Sequence, residues 1–180
     1  VSPGVYSAVA YVENPNLTSA AYNIPYTFRL YDSKNVFVAE RSGFTSIAPI
    51  AATPIFEGGI VTKERKPVRV DFKFTNTPKW FLSVKQVPKI SIENQALSEE
   101  NGLPSLSATL RNPSLQVIPR FEVIATLFDI NGNAVASSKT VVDGLSSEGS
   151  APIVFSWREP FVSPVVKIDI IPKIFPGIQY

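Results

Sequence analysis

The feature that most constrains this chain is that it repeats. Glu13-Asn14-Pro15-Asn16-Leu17 returns as Arg111-Asn112-Pro113-Ser114-Leu115, 98 positions on (13 to 111). Leu30-Tyr31-Asp32 returns as Leu127-Phe128-Asp129, 97 positions on (30 to 127). Pro54-Ile55-Phe56 falls against Pro152-Ile153-Val154, and Pro67-Val68 with Val70-Asp71 against Pro164-Val165 with Ile168-Asp169. Four landmarks in the same order predict an internal duplication. A unit of about ninety residues can bury its own core, so the expectation is two domains, 1–86 and 87–180, and not a solenoid.

The second copy carries the clearer strand pattern. Leu106, Ala108 and Leu110 alternate onto one face. Phe121, Val123, Ala125 and Leu127 form a second period-two set, with Glu122, Ile124, Thr126 and Phe128 on the opposite face. Asn131-Gly132 predicts a type I′ hairpin turn, because both central positions need positive φ. Strands over Ala134–Val142, Pro152–Trp157 and Val165–Ile171 follow, and no segment sustains a helical period. Turn signals recur every ~8–12 residues, which reads as a sandwich. The fold class is therefore all-β: two tandem antiparallel Ig-like β-sandwich domains.

Val87–Gln95 has no counterpart in the first copy and reads as the opening strand of the second domain. By symmetry, the first domain's equivalent strand is expected ahead of Val1. The join at Lys85–Lys89 lacks Gly and Ser and is expected to be semi-rigid. Pro88, Pro119, Pro152, Pro164 and Pro172 fall at expected strand starts or edges, where a missing N–H is tolerated.

Composition narrows the chemistry. The chain has 44% hydrophobic and 18% charged residues, enough apolar material for real cores. It has no Cys, His or Met. That removes disulfides, thiolate nucleophiles, the commonest general base and the commonest metal ligand. Net charge is +2, too small to argue for nucleic acid. Residues 1–86 carry +4 (ten Lys/Arg, six Asp/Glu) and residues 87–180 carry −2 (seven and nine). Much of the excess sits at Lys63, Arg65, Lys66 and Arg69, which read either as a solvated edge or as an anion or glycan-phosphate contact. No apolar run is long enough to span a bilayer, so no direct membrane insertion is expected of these residues.

Phe28-Arg29-Leu30-Tyr31-Asp32 reads F-x-L-Y-D, and the chain resembles the FxLYD family of β-sandwich domains. The second copy keeps Leu127, Phe128 and Asp129 but has Ala125 where the motif has Phe. The stretches AYVENPN, PYTFRLYD and FSWREPF also resemble uncharacterised, membrane-anchored surface proteins of small-genome bacteria. The resemblance implies a sandwich fold and a place outside the cytoplasm or on the cell surface, held by an anchor upstream of Val1. It implies no catalytic residue. The motif also has its own physics: Phe28 and Leu30 should point into the core, Tyr31 away from it, and Asp32 and Asp129 should close Asx turns.

Candidate sites are few. Trp80 and Trp157, with Phe81, Phe155 and Phe161, could stack on sugar rings or fill cores. Asp129–Asn133 begins like a calcium loop but has Ala134 and Thr140 where that loop needs Gly and Glu, so no metal site is assigned. Glu57, Glu64, Asp71, Glu99 and Glu100 could pair for glycoside hydrolysis, though no spacing fixes a cleft. Asn16-Leu17-Thr18 fits a glycosylation sequon. The leading expectation is a non-catalytic, cofactor-free spacer or adhesion module whose partner is another surface protein or a glycan. The alternative is a module binding glycan or cell-wall polymer through Trp80, Trp157 and the Lys63–Arg69 patch, and the weakest alternative is a carboxylate hydrolase.

Overall fold

A computed structural model describes residues 4–83 and 87–175. Their regular structure is all strand, and every pairing is antiparallel. The strands are β1 (Val5–Asn14), β2 (Ser19–Tyr31), β3 (Phe37–Ile47), β4 (Ala51–Val61), β5 (Arg69–Phe74), β6 (Trp80–Leu82), β7 (Ser91–Glu100), β8 (Leu103–Arg111), β9 (Ile118–Phe128), β10 (Ala134–Leu145), β11 (Ser150–Ser156) and β12 (Lys167–Lys173). The chain divides into two compact units. The first runs to Val87 and takes in Phe175; the second is Pro88–Ile174.

In the first unit β1 and β4 form one sheet, and β3-β2-β5, with β6 beside the start of β2, forms the other. The period-two side of β2 fills the space between them. Tyr26, Phe28 and Leu30 meet Ala8 of β1 and Ile55 and Ile60 of β4. Burying a side chain such as Phe28 contributes about 2–3 kcal/mol. A second cluster, Ala21, Ile24 and Ile47, closes the other end.

The second unit pairs the sheets β11-β8-β7 and β10-β9-β12. Its chain moves between sheets in the order of the first: β8, then β9 and β10, then β11, then β12, as β1, β2 and β3, β4, β5. Leu106, Ala108 and Leu110 of β8 are buried, as are Phe121, Val123, Ala125 and Leu127 of β9. The opposite face of β9 is also buried at Ile124 (2% exposed) and Thr126 (0%). Both lie on a central strand with a partner on each side, Ile124 between Lys139 and Ile171 and Thr126 between Ser137 and Asp169.

The hairpin turns bring a correction. In the second unit Asp129 N–H donates to Asn133 O and Gly132 N–H to Asp129 O, both at 3.0 Å. Positive φ occurs here at Gly132 (78°) and not at Asn131. This is a three-residue loop with Gly in the left-handed position, not a type I′ turn. The first unit repeats it at Asp32–Val36, with Asn35 (φ 60°) in the glycine's place. The type I′ geometry occurs instead at Asn101 (φ 53°) and Gly102 (φ 77°), which join β7 to β8. The opening strand of the second unit is Ser91–Glu100: it begins after the expected start at Val87 and runs past the expected end at Gln95. Among the described residues β1 pairs β4 alone. The strand expected ahead of Val1, and part of the join expected at Lys85–Lys89, lie outside the described residues.

Candidate functional site

The most distinctive polar residues of the repeat build loops. Asn14 ends β1 buried, and its Nδ2 donates to Ser19 O at 2.7 Å and Ala48 O at 2.8 Å. Its Oδ1 accepts from Asn16 N at 3.2 Å and Asn16 Nδ2 at 2.9 Å. Asn112 does the same: its Nδ2 donates to Gln116 O at 2.7 Å and Ser146 O at 2.8 Å, and its Oδ1 accepts from Ser114 N at 3.1 Å and Ser114 Oγ at 2.7 Å. Each buried amide thus has both donors and its acceptor satisfied and ties two loops together. The tied loops force positive φ at Ile50 (47°) and Glu148 (53°), whose amides donate to Asn16 O and Ser114 O at 3.0 Å. Their recurrence 98 positions apart (14 to 112) was the signal available in the sequence.

The motif aspartates are equally committed. Asp32 Oδ1 accepts from Lys34 N and Val36 N, and Asp129 Oδ1 from Asn131 N and Asn133 N, all at 2.9 Å. The Val36 amide foremost, then Lys34's, hold the Asp32 carboxyl below its ordinary range. The Asn133 amide does so first for Asp129. Phe28 and Leu30 are buried, while Tyr31 lies on the other face under the Arg69 guanidinium, 4.2 Å from its ring centre. Leu127 is buried and Phe128 half-buried beneath Lys167.

The basic residues Lys63, Arg65, Lys66 and Arg69 are all exposed. They lie on the β4–β5 loop and the start of β5, beside the β2–β3 hairpin. Two are engaged within the fold: Arg65 donates to Phe37 O at 3.4 Å, and Arg69 bonds Asp71 and, at 2.7 Å, Asn35 Oδ1. Lys63 and Lys66 supply the outward charge of this end.

The aromatic candidates are divided between the two units. Trp80 on β6 is 48% exposed in the first unit, where Phe81 stacks on Tyr22 at 4.6 Å and 7°. Trp157 belongs to the second unit. It is half-buried, donates through Nε1 to Ser137 O at 3.4 Å, and meets Phe161 edge-on at 5.2 Å. Phe155 is buried in the core and is unavailable to a ligand. Phe161 instead lines a shallow trough of about 510 Å³ with Leu97, Glu99, Pro104, Val162 and Pro164. Sequence reasoning missed Leu97 and Pro104, because the β7–β8 hairpin brings them to the β11–β12 loop across a long sequence separation.

The carboxylates proposed for acid–base work are divided between the two units. Glu57 accepts from Tyr26 Oη at 2.6 Å in the first unit, Asp71 is paired with Arg69, and Glu99 sits at the trough of the second unit. Among the described residues no three His, Cys, Asp or Glu side chains group as metal ligands. Asn16 of the sequon is exposed, but its amide is bonded to Asn14. No family model matches the chain, and no curated protein matches it.

Proposed function

We propose that the chain is a non-catalytic, extracytoplasmic structural or interaction module: two FxLYD-type Ig-like sandwiches from a duplication, presented at the cell surface as a spacer or adhesion element by an anchor N-terminal to Val1. The observation that carries this reading is what the recurring polar residues do. Asn14, Asn112, Asp32 and Asp129 bond the loops next to them. Both carboxyl shifts run downward, opposite to the rise a general acid needs. The matched loop chemistry 97 or 98 positions apart supports the duplication, and the F-x-L-Y-D residues support the family and its location.

A spacer should unfold as two separate bodies. Pulled from its ends, the chain is expected to give two unfolding steps, each releasing about 30 nm, the extended length of roughly ninety residues. A single cooperative step would defeat the reading. For location, protease shaving of intact cells that carry the full-length protein should remove both units; recovery in the cytosol counts against it.

A second reading, binding of glycan or cell-wall polymer, is favoured by the Phe161 trough, where apolar walls adjoin Ser98, Glu99 and Ser163. Titration with peptidoglycan fragments should shift NMR signals of Leu97 and Phe161. Silence there, and at Trp80, removes that reading.

A further inference from the structure

The sequence holds two Asn-Gly pairs, Asn101-Gly102 and Asn131-Gly132, and all four residues are exposed. An asparagine before glycine is open to attack on its side chain by the next backbone nitrogen, because glycine puts no Cβ beside that nitrogen. The two pairs differ in what holds the glycine N–H. Gly132 N–H donates to Asp129 O at 3.0 Å, and the Asn131 N–H before it donates to Asp129 Oδ1 at 2.9 Å. The peptides on both sides of Asn131 are therefore anchored. Among the described residues no hydrogen bond holds the Gly102 N–H or the Asn101 side-chain amide.

Turn geometry points the same way. Asn101 and Gly102 are the two central residues of the type I′ turn between the paired Glu100 and Leu103. Turning over the single peptide between them converts a type I′ turn into a type II′ turn while the flanking pair stays closed. That change brings ψ of the first central residue to about −120°, which swings the nitrogen of the second toward the side chain of the first. Gly102 has open space where a Cβ would stand, so nothing blocks the movement. Turning over the peptide between Asn131 and Gly132 instead breaks the bond from Gly132 to Asp129.

We propose that Asn101 is a site of spontaneous deamidation and isoaspartate formation, set by its turn, and that Asn131 is protected by its own. Hydroxide takes the Gly102 amide proton, and the nitrogen's electron pair forms a bond to Asn101 Cγ. The Cγ–Nδ2 bond breaks, and Nδ2 takes a proton from water and leaves as ammonia. Water then opens the five-membered imide at either carbonyl, giving aspartate or isoaspartate at this position. Either product adds a negative charge beside Glu99 and Glu100. Isoaspartate also routes the chain through the side-chain methylene, which lengthens a loop of only two residues between Glu100 and Leu103. Glu99 and Pro104 of the Phe161 trough lie at this end of the hairpin, so the reaction loosens one wall of the trough. The inference is independent of what either unit binds.

The test ages the chain at mildly alkaline pH and follows both Asn-Gly peptides by mass spectrometry. The mass reads the exchange of NH for O, and electron-transfer fragments separate isoaspartate from aspartate. In the folded chain Asn101 should convert at least tenfold faster than Asn131, and in concentrated urea the two rates should converge. A smaller ratio in the folded chain, or faster conversion of Asn131, overturns the proposal. So does a difference that persists in urea, which assigns it to neighbouring residues and not to the turns. Chain aged to completion at Asn101 should exchange the Leu103 amide faster than fresh chain does. Unchanged exchange there overturns the effect on the hairpin.

Discussion

The two units hold their loops in the same way and fill their interiors differently. At the motif position of the central strand the first unit buries Phe28 and the second Ala125. The second unit's fully buried aromatic is Phe155, on β11, where the first unit has Glu57 bonded to Tyr26. Loop-closing polar residues recur because their geometry admits few substitutes. Core bulk is a property of the whole interior and can be moved from one strand to another.

The largest expected effects test that relocation. Phe28→Ala and Phe155→Ala should each cost about 3–5 kcal/mol, felt in their own unit. Trp80 reports on the first unit and Trp157 on the second, so denaturant titrations in Trp80→Phe and Trp157→Phe backgrounds separate the two transitions. Equal losses in both units from either change would break the comparison. Next come the shared asparagines. Asn14→Ala and Asn112→Ala each orphan two backbone carbonyls and should cost about 3 kcal/mol, by a similar amount in each unit.

Smaller effects sharpen the contrast. Gly132 has open space where a Cβ would go, so Gly132→Ala isolates the left-handed backbone and should cost about 1–2 kcal/mol. Asn35→Gly should return less than that, because it gives up the Arg69 bond. Thr45 is buried with its hydroxyl unpartnered, and the corresponding position 97 residues on (45 to 142) is Val142. Thr45→Val should therefore raise the first unit's stability by about 1 kcal/mol in thermal unfolding.

The smallest effect is in acid. The turn amides lower the folded-state pKa of Asp32 and Asp129, so their ionised forms favour the folded state. That contribution is complete above the unfolded value of about 3.9 and is lost as pH falls through the folded value. Asp32→Asn and Asp129→Asn should each flatten the acid limb of their own unit's stability curve below about pH 4, while leaving the neutral region flat.

Much of this was legible in sequence. Alternation placed Phe28 and Leu30 inward, and the Asp at each strand end predicted its Asx turn. What escaped depended on partners distant in the chain. Asn14 and Asn112 look like any Asn-Pro turn until Ala48 and Ser146 are brought to them. The burial of Ile124 and Thr126 follows from strands on both sides of β9, which one strand's pattern cannot reveal. Asn131-Gly132 and Asn101-Gly102 are the same dipeptide in different turns. The first is preceded by an Asp that captures the Asn131 and Asn133 amides, and the second is not. The basic residues were found, but sequence could not say that Arg65 and Arg69 are engaged within the fold.

The Asx-closed hairpins have a kinetic consequence. Tyr31 meets Phe37 across a connection that a hairpin can close within about 1–10 μs, whereas pairing β1 with β4 must bring Asn14 to Ala51. The aspartate holds its loop using only its immediate neighbours, so β2–β3 and β9–β10 can serve as seeds before any long-range contact exists. Each half then carries its own starting point, and a chain emerging amino end first can set the β2–β3 seed before β9 and β10 exist.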